Sequence, residues 1–164
     1  MKQLKMGLCL VLGLAWLSGA WAQERTTSGT QEEPALLGSY VTEPFTVEES
    51  AVQGFNKDDI CGNTGTFKMD LRPAGWSFDN YPLPGCIAWN PPVVGSWRLL
   101  ENHVLAIREL QDLGCSPEEY TYSWKLEDDT LTFSVVNDPC DARIYFFTAH
   151  PWRKIPPGAQ PNFR

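Results

Sequence analysis

One feature constrains this chain more than any other: a two-residue alternation that runs almost unbroken from Tyr120 to Val135. Tyr120, Tyr122, Trp124 and Leu126 alternate with Thr121, Ser123 and Lys125, and after Glu127-Asp128-Asp129 the pattern resumes as Leu131, Phe133 and Val135 against Thr130, Thr132 and Ser134. Side chains two apart share one face of a strand, so the pattern predicts a β-hairpin with one buried face. With Asp128 and Asp129 as the loop, Leu126 faces Leu131, Trp124 faces Phe133 and Tyr122 faces Val135. A one-residue slip would turn that apolar face to water.

A second hairpin follows the same logic. Phe67, Met69 and Leu71 alternate, Arg72-Pro73-Ala74-Gly75 supplies the turn, and Trp76 and Phe78 return. Pairing Leu71 with Trp76 and extending the register sets Cys61 opposite Cys86. The Asp128-Asp129 register brings Cys140 opposite Pro117, within two residues of Cys115. The expected disulfides are therefore Cys61 to Cys86 and Cys115 to Cys140. A zinc site would want closely spaced pairs, whereas neighbouring cysteines here lie about 25 residues apart.

Further segments rich in β-branched and aromatic residues, and bounded by Gly, Pro or Asn, read as strands: Leu37 to Phe45, Ile87 to Trp89, Gly95 to Leu100, His103 to Leu110 and Ala142 to Ala149. Thr46-Val47-Glu48-Glu49 is a capping box that opens one short helix before Gly54. From Gly95 onward the strands follow one another through short turns. This favours an all-β fold, an antiparallel up-and-down β-barrel of about eight strands with one short helix, over a Greek-key sandwich.

The ends of the chain speak to its destination. Lys2 and Lys5, the apolar run Met6 to Trp16 and the small-residue end Ala20-Trp21-Ala22 have the layout of a secretory signal over residues 1–22. Gln23 to Pro34 is a polar leader without apolar period, and Ile155 to Arg164 is a Pro-rich tail; both read as mobile, which leaves a barrel domain at 35–154. Cys9 lies inside the signal, and four cysteines in an exported chain favour disulfides, so the expected location is secreted or periplasmic. The formal net charge is −7, and more negative once Lys2 and Lys5 are gone, which argues against nucleic acid and anionic membrane surfaces as partners.

Tyr120-Thr-Tyr-Ser-Trp124, Leu131-Thr-Phe133, Asp138-Pro-Cys-Asp-Ala-Arg143 and Trp152-Arg153 together resemble the C-terminal half of secreted bacterial lipocalin-like (calycin-type) domains, whose functions are mostly unassigned. Gly38-Ser-Tyr40 stands where lipocalins carry Gly-x-Trp, with Tyr in place of Trp, while Gly95-Ser-Trp97 carries the motif's letters elsewhere. The resemblance implies that Arg143 is the last-strand Arg that packs across that aromatic. It also implies a calyx for a small hydrophobic molecule. Tyr40, Trp97, Tyr122, Trp124, Phe133 and Arg143 are then the ligand-binding candidates.

Each candidate has a plainer reading. In a barrel of about 120 residues, packed aromatics are more common than cavity-lining ones. Arg143 could pair with Asp138 or Asp141 or point its planar donors at a ligand carboxylate, and its plainer reading is a structural Arg stacked on an aromatic at the barrel end. His103 and His150 sit in no nucleophile or zinc spacing, and the paired carboxylates fall in turns, so no catalytic residue, metal or cofactor is expected. The chain reads as a binding protein and not an enzyme. The alternatives are a solid-core extracellular interaction or inhibitor protein and, further off, a barrel cyclase or isomerase.

Overall fold

The computed structural model describes residues 33–54, 60–86, 92–110 and 119–161. Eight antiparallel strands form a closed barrel in sequence order. They are β1 (Gly38–Thr42), β2 (Thr66–Arg72), β3 (Gly75–Tyr81), β4 (Val93–Leu100), β5 (Val104–Glu109), β6 (Tyr120–Glu127), β7 (Thr130–Asn137) and β8 (Trp152–Ile155), and β8 closes on β1 through Thr42 opposite Trp152. Helices α1 (Glu33–Leu36), α2 (Val47–Val52) and α3 (Asp141–Thr148) are short.

The two hairpins have the register that alternation predicts. Leu126 faces Leu131, Trp124 faces Phe133, Tyr122 faces Val135, and Leu71 faces Trp76. Asp128 and Asp129 both take positive φ, at 47° and 62°, the handedness that a two-residue turn needs to match the twist of its strands. Gly95 is required by close approach, because a Cβ there would strike the Arg108 carbonyl and the Trp76 indole nitrogen. With no side chain in the way, the Trp76 indole N–H reaches Arg108 O at 3.3 Å.

These registers define two ends. The β2–β3, β4–β5 and β6–β7 turns lie at one, the hairpin end, where α1 leads into β1. The long connections lie at the other, the loop end, together with α2, α3 and a 3₁₀ turn at Ile60–Asn63. The capping box is present as read: Thr46 accepts from the Glu49 N–H, and the Glu49 carboxylate accepts from the Thr46 N–H. Cys61 and Cys86 are bonded across the loop end, and Cys140 is likewise in a disulfide. Its expected partner Cys115, the Ile87 to Trp89 strand, the signal and most of the leader lie outside the described residues.

The Cys61 to Cys86 bond closes a loop of 25 residues, so removing it should cost about 3 kcal/mol in the chain-entropy view. The denaturant midpoint of Cys61→Ser/Cys86→Ser, against the wild type, measures this. An unchanged midpoint would mean that the loop end is held by packing alone.

Two expectations are corrected. Ala142 to Ala149 is not a strand: Ala142 to Thr148 lie in α3 and Ala149 caps it, and the eighth strand is Trp152–Ile155. Pro139 ends the β7 chain path before the helix, Pro151 follows it, and the buried residues are Arg143 and Phe147, four apart and so one helical turn, where a strand would bury every second residue. The tail from Ile155 is also held more closely than its composition suggests. Ile155 pairs with Ser39, the Tyr81 hydroxyl donates to Gln160 Oε1 at 2.8 Å, and Pro161 is buried. Prolines lose little freedom on docking, which lowers the cost of fixing such a segment.

Candidate functional site

The interior is aromatic, and its centre comes from a helix. α3 lies at the loop end between β7 and β8 and turns two side chains inward: Arg143, 6% exposed, and Phe147, 2% exposed. The Phe147 ring stacks on Tyr122 (5.0 Å, 16°) and on Phe78 (6.0 Å, 14°). It meets Phe133 at 5.5 Å, Trp152 at 6.1 Å, Trp76 at 6.2 Å and Tyr120 at 6.3 Å. The strand side chains thus surround a hole one ring wide, and Phe147 fills it.

One turn earlier, Arg143 joins a buried polar network. Its Nε and Nη2 donate to the two oxygens of Asp138 at 2.8 and 2.7 Å, and Nη1 donates to Glu109 Oε1 at 3.4 Å. Its guanidinium carbon stands 3.6 Å from the centre of the Tyr120 ring. The Tyr120 hydroxyl donates to Glu109 at 3.0 Å and the Tyr122 hydroxyl donates to Asp138. Two carboxylates face one guanidinium, so Arg143 is the counter-charge that both share in the interior.

Titration behaviour follows from that geometry. Burial pushes the Asp138 carboxyl up, but hydrogen bonds from Arg143, Tyr122 and the Cys140 amide outweigh it and hold the group below the usual carboxylate range. Burial and the neighbouring carboxylates raise the hydroxyls of Tyr120 and Tyr122, which stay protonated donors.

The six candidates divide between these surroundings. Tyr122, Phe133 and Arg143 come together around α3. Tyr40 is fully buried nearer the hairpin end, where its hydroxyl donates to Leu36 O at 2.9 Å; burial and Asp129 push its pKa up to about 12. Trp97 is half-buried and donates to Arg72 O at 2.8 Å. Trp124 is half-buried edge-on to His103 at 5.3 Å, and its indole N–H is buried without a hydrogen-bond partner among the described residues.

The implied role of Arg143 is corrected: it is on α3 and not on the last strand, and it covers Tyr120 and not Tyr40. The last-strand cation near Tyr40 is Lys154, with Nζ 5.7 Å from the ring centre and donating to Ala35 O at 3.1 Å. The pairing of Arg143 with Asp138, one of its readings, is present. Glu109, Tyr120 and Phe147 were not singled out from sequence. Glu109 could have been, since it continues the inward row of Leu105 and Ile107 with an acid. His150 lies 3.3 Å from Glu49 Oε1, and among the described residues no three His, Cys, Asp or Glu side chains form a metal cluster. No family model, curated protein or solved structure matches the chain.

Proposed function

We propose that this protein is an exported, lipocalin-like binding module for a small hydrophobic molecule. The carrying observation is the Phe147 hole: an eight-stranded barrel whose strands leave a ring-sized, aromatic-walled space that, among the described residues, a side chain from outside the strands fills. Barrels of this strand number hold either packed side chains or one small ligand. A space filled by a helix at the barrel's end can exchange one occupant for another. Gly38-Ser-Tyr40 on β1 and the last-strand cation Lys154 near Tyr40 support the lipocalin likeness. Oxidising export suits both the Cys61 to Cys86 bond and the Cys140 disulfide. Among the described residues no helix is long and apolar enough to cross a membrane.

The second reading, a solid-core interaction protein, draws on the same filled interior. Calorimetric titration with an uncharged one-ring probe such as indole separates the two. The binding reading expects saturable, one-to-one probe binding that tightens at least tenfold in Phe147→Ala. Absence of probe binding in the folded variant would sink it and leave the solid core. Intact mass of the exported protein checks the leader, with cleavage expected between Ala22 and Gln23.

A further inference from the structure

We infer that the loop end of the barrel is a recognition site for an arylalkylamine, a flat apolar ring with a cationic head, which α3 occupies with its own Arg143 and Phe147. The inference rests on the binding-module reading and adds the charge of the ligand.

Arg143 and Phe147 are the two buried side chains of α3. Being four residues apart, they sit on one face, about 6 Å apart along the helix axis. Together they present the outline of an aromatic amine: cation first, ring one turn deeper. The ring half meets a surface built by the strands, and the cation half meets Tyr120 and Glu109 of the strands together with Asp138 from the segment that leads into α3. The ring has the walls of Tyr122, Phe78 and Phe133. The cation has the face of Tyr120, the Glu109 carboxylate at the end of β5 and the Asp138 carboxylate just beyond β7.

An organic cation over an aromatic face, flanked by carboxylates, is held by charge-assisted hydrogen bonds and by attraction to the ring. A neutral ring could fill the hole, but it would leave two buried carboxylates with no counter-charge if α3 withdrew Arg143. An anionic ring would add a third like charge. Head-group charge therefore decides which aromatic molecule can replace α3. In the wild type the ligand must displace the helix, so its apparent affinity is reduced by the fraction of molecules with α3 withdrawn.

The test is calorimetric titration of the disulfide-intact wild type and of the double variant Arg143→Ala/Phe147→Ala with phenethylamine, 2-phenylethanol and 3-phenylpropionate. The double variant should bind phenethylamine at least tenfold more tightly than the wild type does and at least tenfold more tightly than 2-phenylethanol, with 3-phenylpropionate weakest. Equal affinity for amine and alcohol would overturn the inference while leaving an apolar-ligand module standing. A folded double variant that binds none of the three would overturn both. Should the double variant not fold by itself, phenethylamine at about 10 mM should restore a cooperative melt through linkage and 2-phenylethanol should not. Failure of the amine to do so overturns the inference.

Discussion

Phe147→Ala is expected to destabilise the barrel by about 3–5 kcal/mol, the range for losing a fully buried aromatic ring, and to lower the melting temperature by more than about 10 °C. The ring is 2% exposed and touches rings from β3, β6, β7 and β8, so its removal leaves a cavity walled by four strands of a closed sheet. A closed barrel cannot collapse onto such a space as a helical bundle can, because every strand is hydrogen-bonded on both sides. Trp124→Ala supplies the comparison. Trp124 is larger but half-buried, and it lies at the hairpin end beside His103, so its loss should cost about 2 kcal/mol. Urea titration of both variants measures the difference. If Trp124→Ala proves the costlier, the core is centred on the hairpin end and Phe147 is a peripheral cap.

How much of this was legible depended on whether a local pattern and its tertiary outcome agreed. The hairpins were legible because alternation sets register once the loop is placed, and the Leu71 to Trp76 pairing carried Cys61 to Cys86 with it. The Thr46 capping box was legible because its hydrogen bonds span three residues. α3 was not. Ile144-Tyr145-Phe146-Phe147-Thr148 has the composition of a strand and neither period, and it is helical because Arg143 and Phe147 reach partners from five different strands. The misassigned strand then misplaced Arg143. Once on a helix at the loop end, its guanidinium meets Tyr120, while Tyr40 lies across from Lys154 in the β1–β8 register. The halves of the candidate site that come from β6 and β7 were visible in the sequence, and the half that comes from α3 was hidden by the same misreading.

Arg143→Met should cost about 3–5 kcal/mol at neutral pH, the loss expected when one partner of a buried ion pair is removed and its counter-charges stay behind. Met keeps much of the apolar volume, so the effect isolates the charge. The pH dependence then separates this cause from lost packing. In the wild type Asp138 has a depressed pKa, so its contribution is present above the ordinary carboxylate value and is lost as pH falls through the folded value. In the variant the sign reverses. Without a cation, burial raises the Asp138 carboxyl above its unfolded value, so the folded state takes up a proton and the penalty shrinks as pH falls. The melting temperatures of wild type and Arg143→Met should therefore converge between pH 7 and pH 4. Adding Glu109→Gln and Asp138→Asn to Arg143→Met should recover most of the loss at pH 7. A gap that stays constant with pH, and that the two amides do not close, would mean that Arg143 holds α3 by its fit over the Tyr120 ring and that the carboxylates are incidental to it.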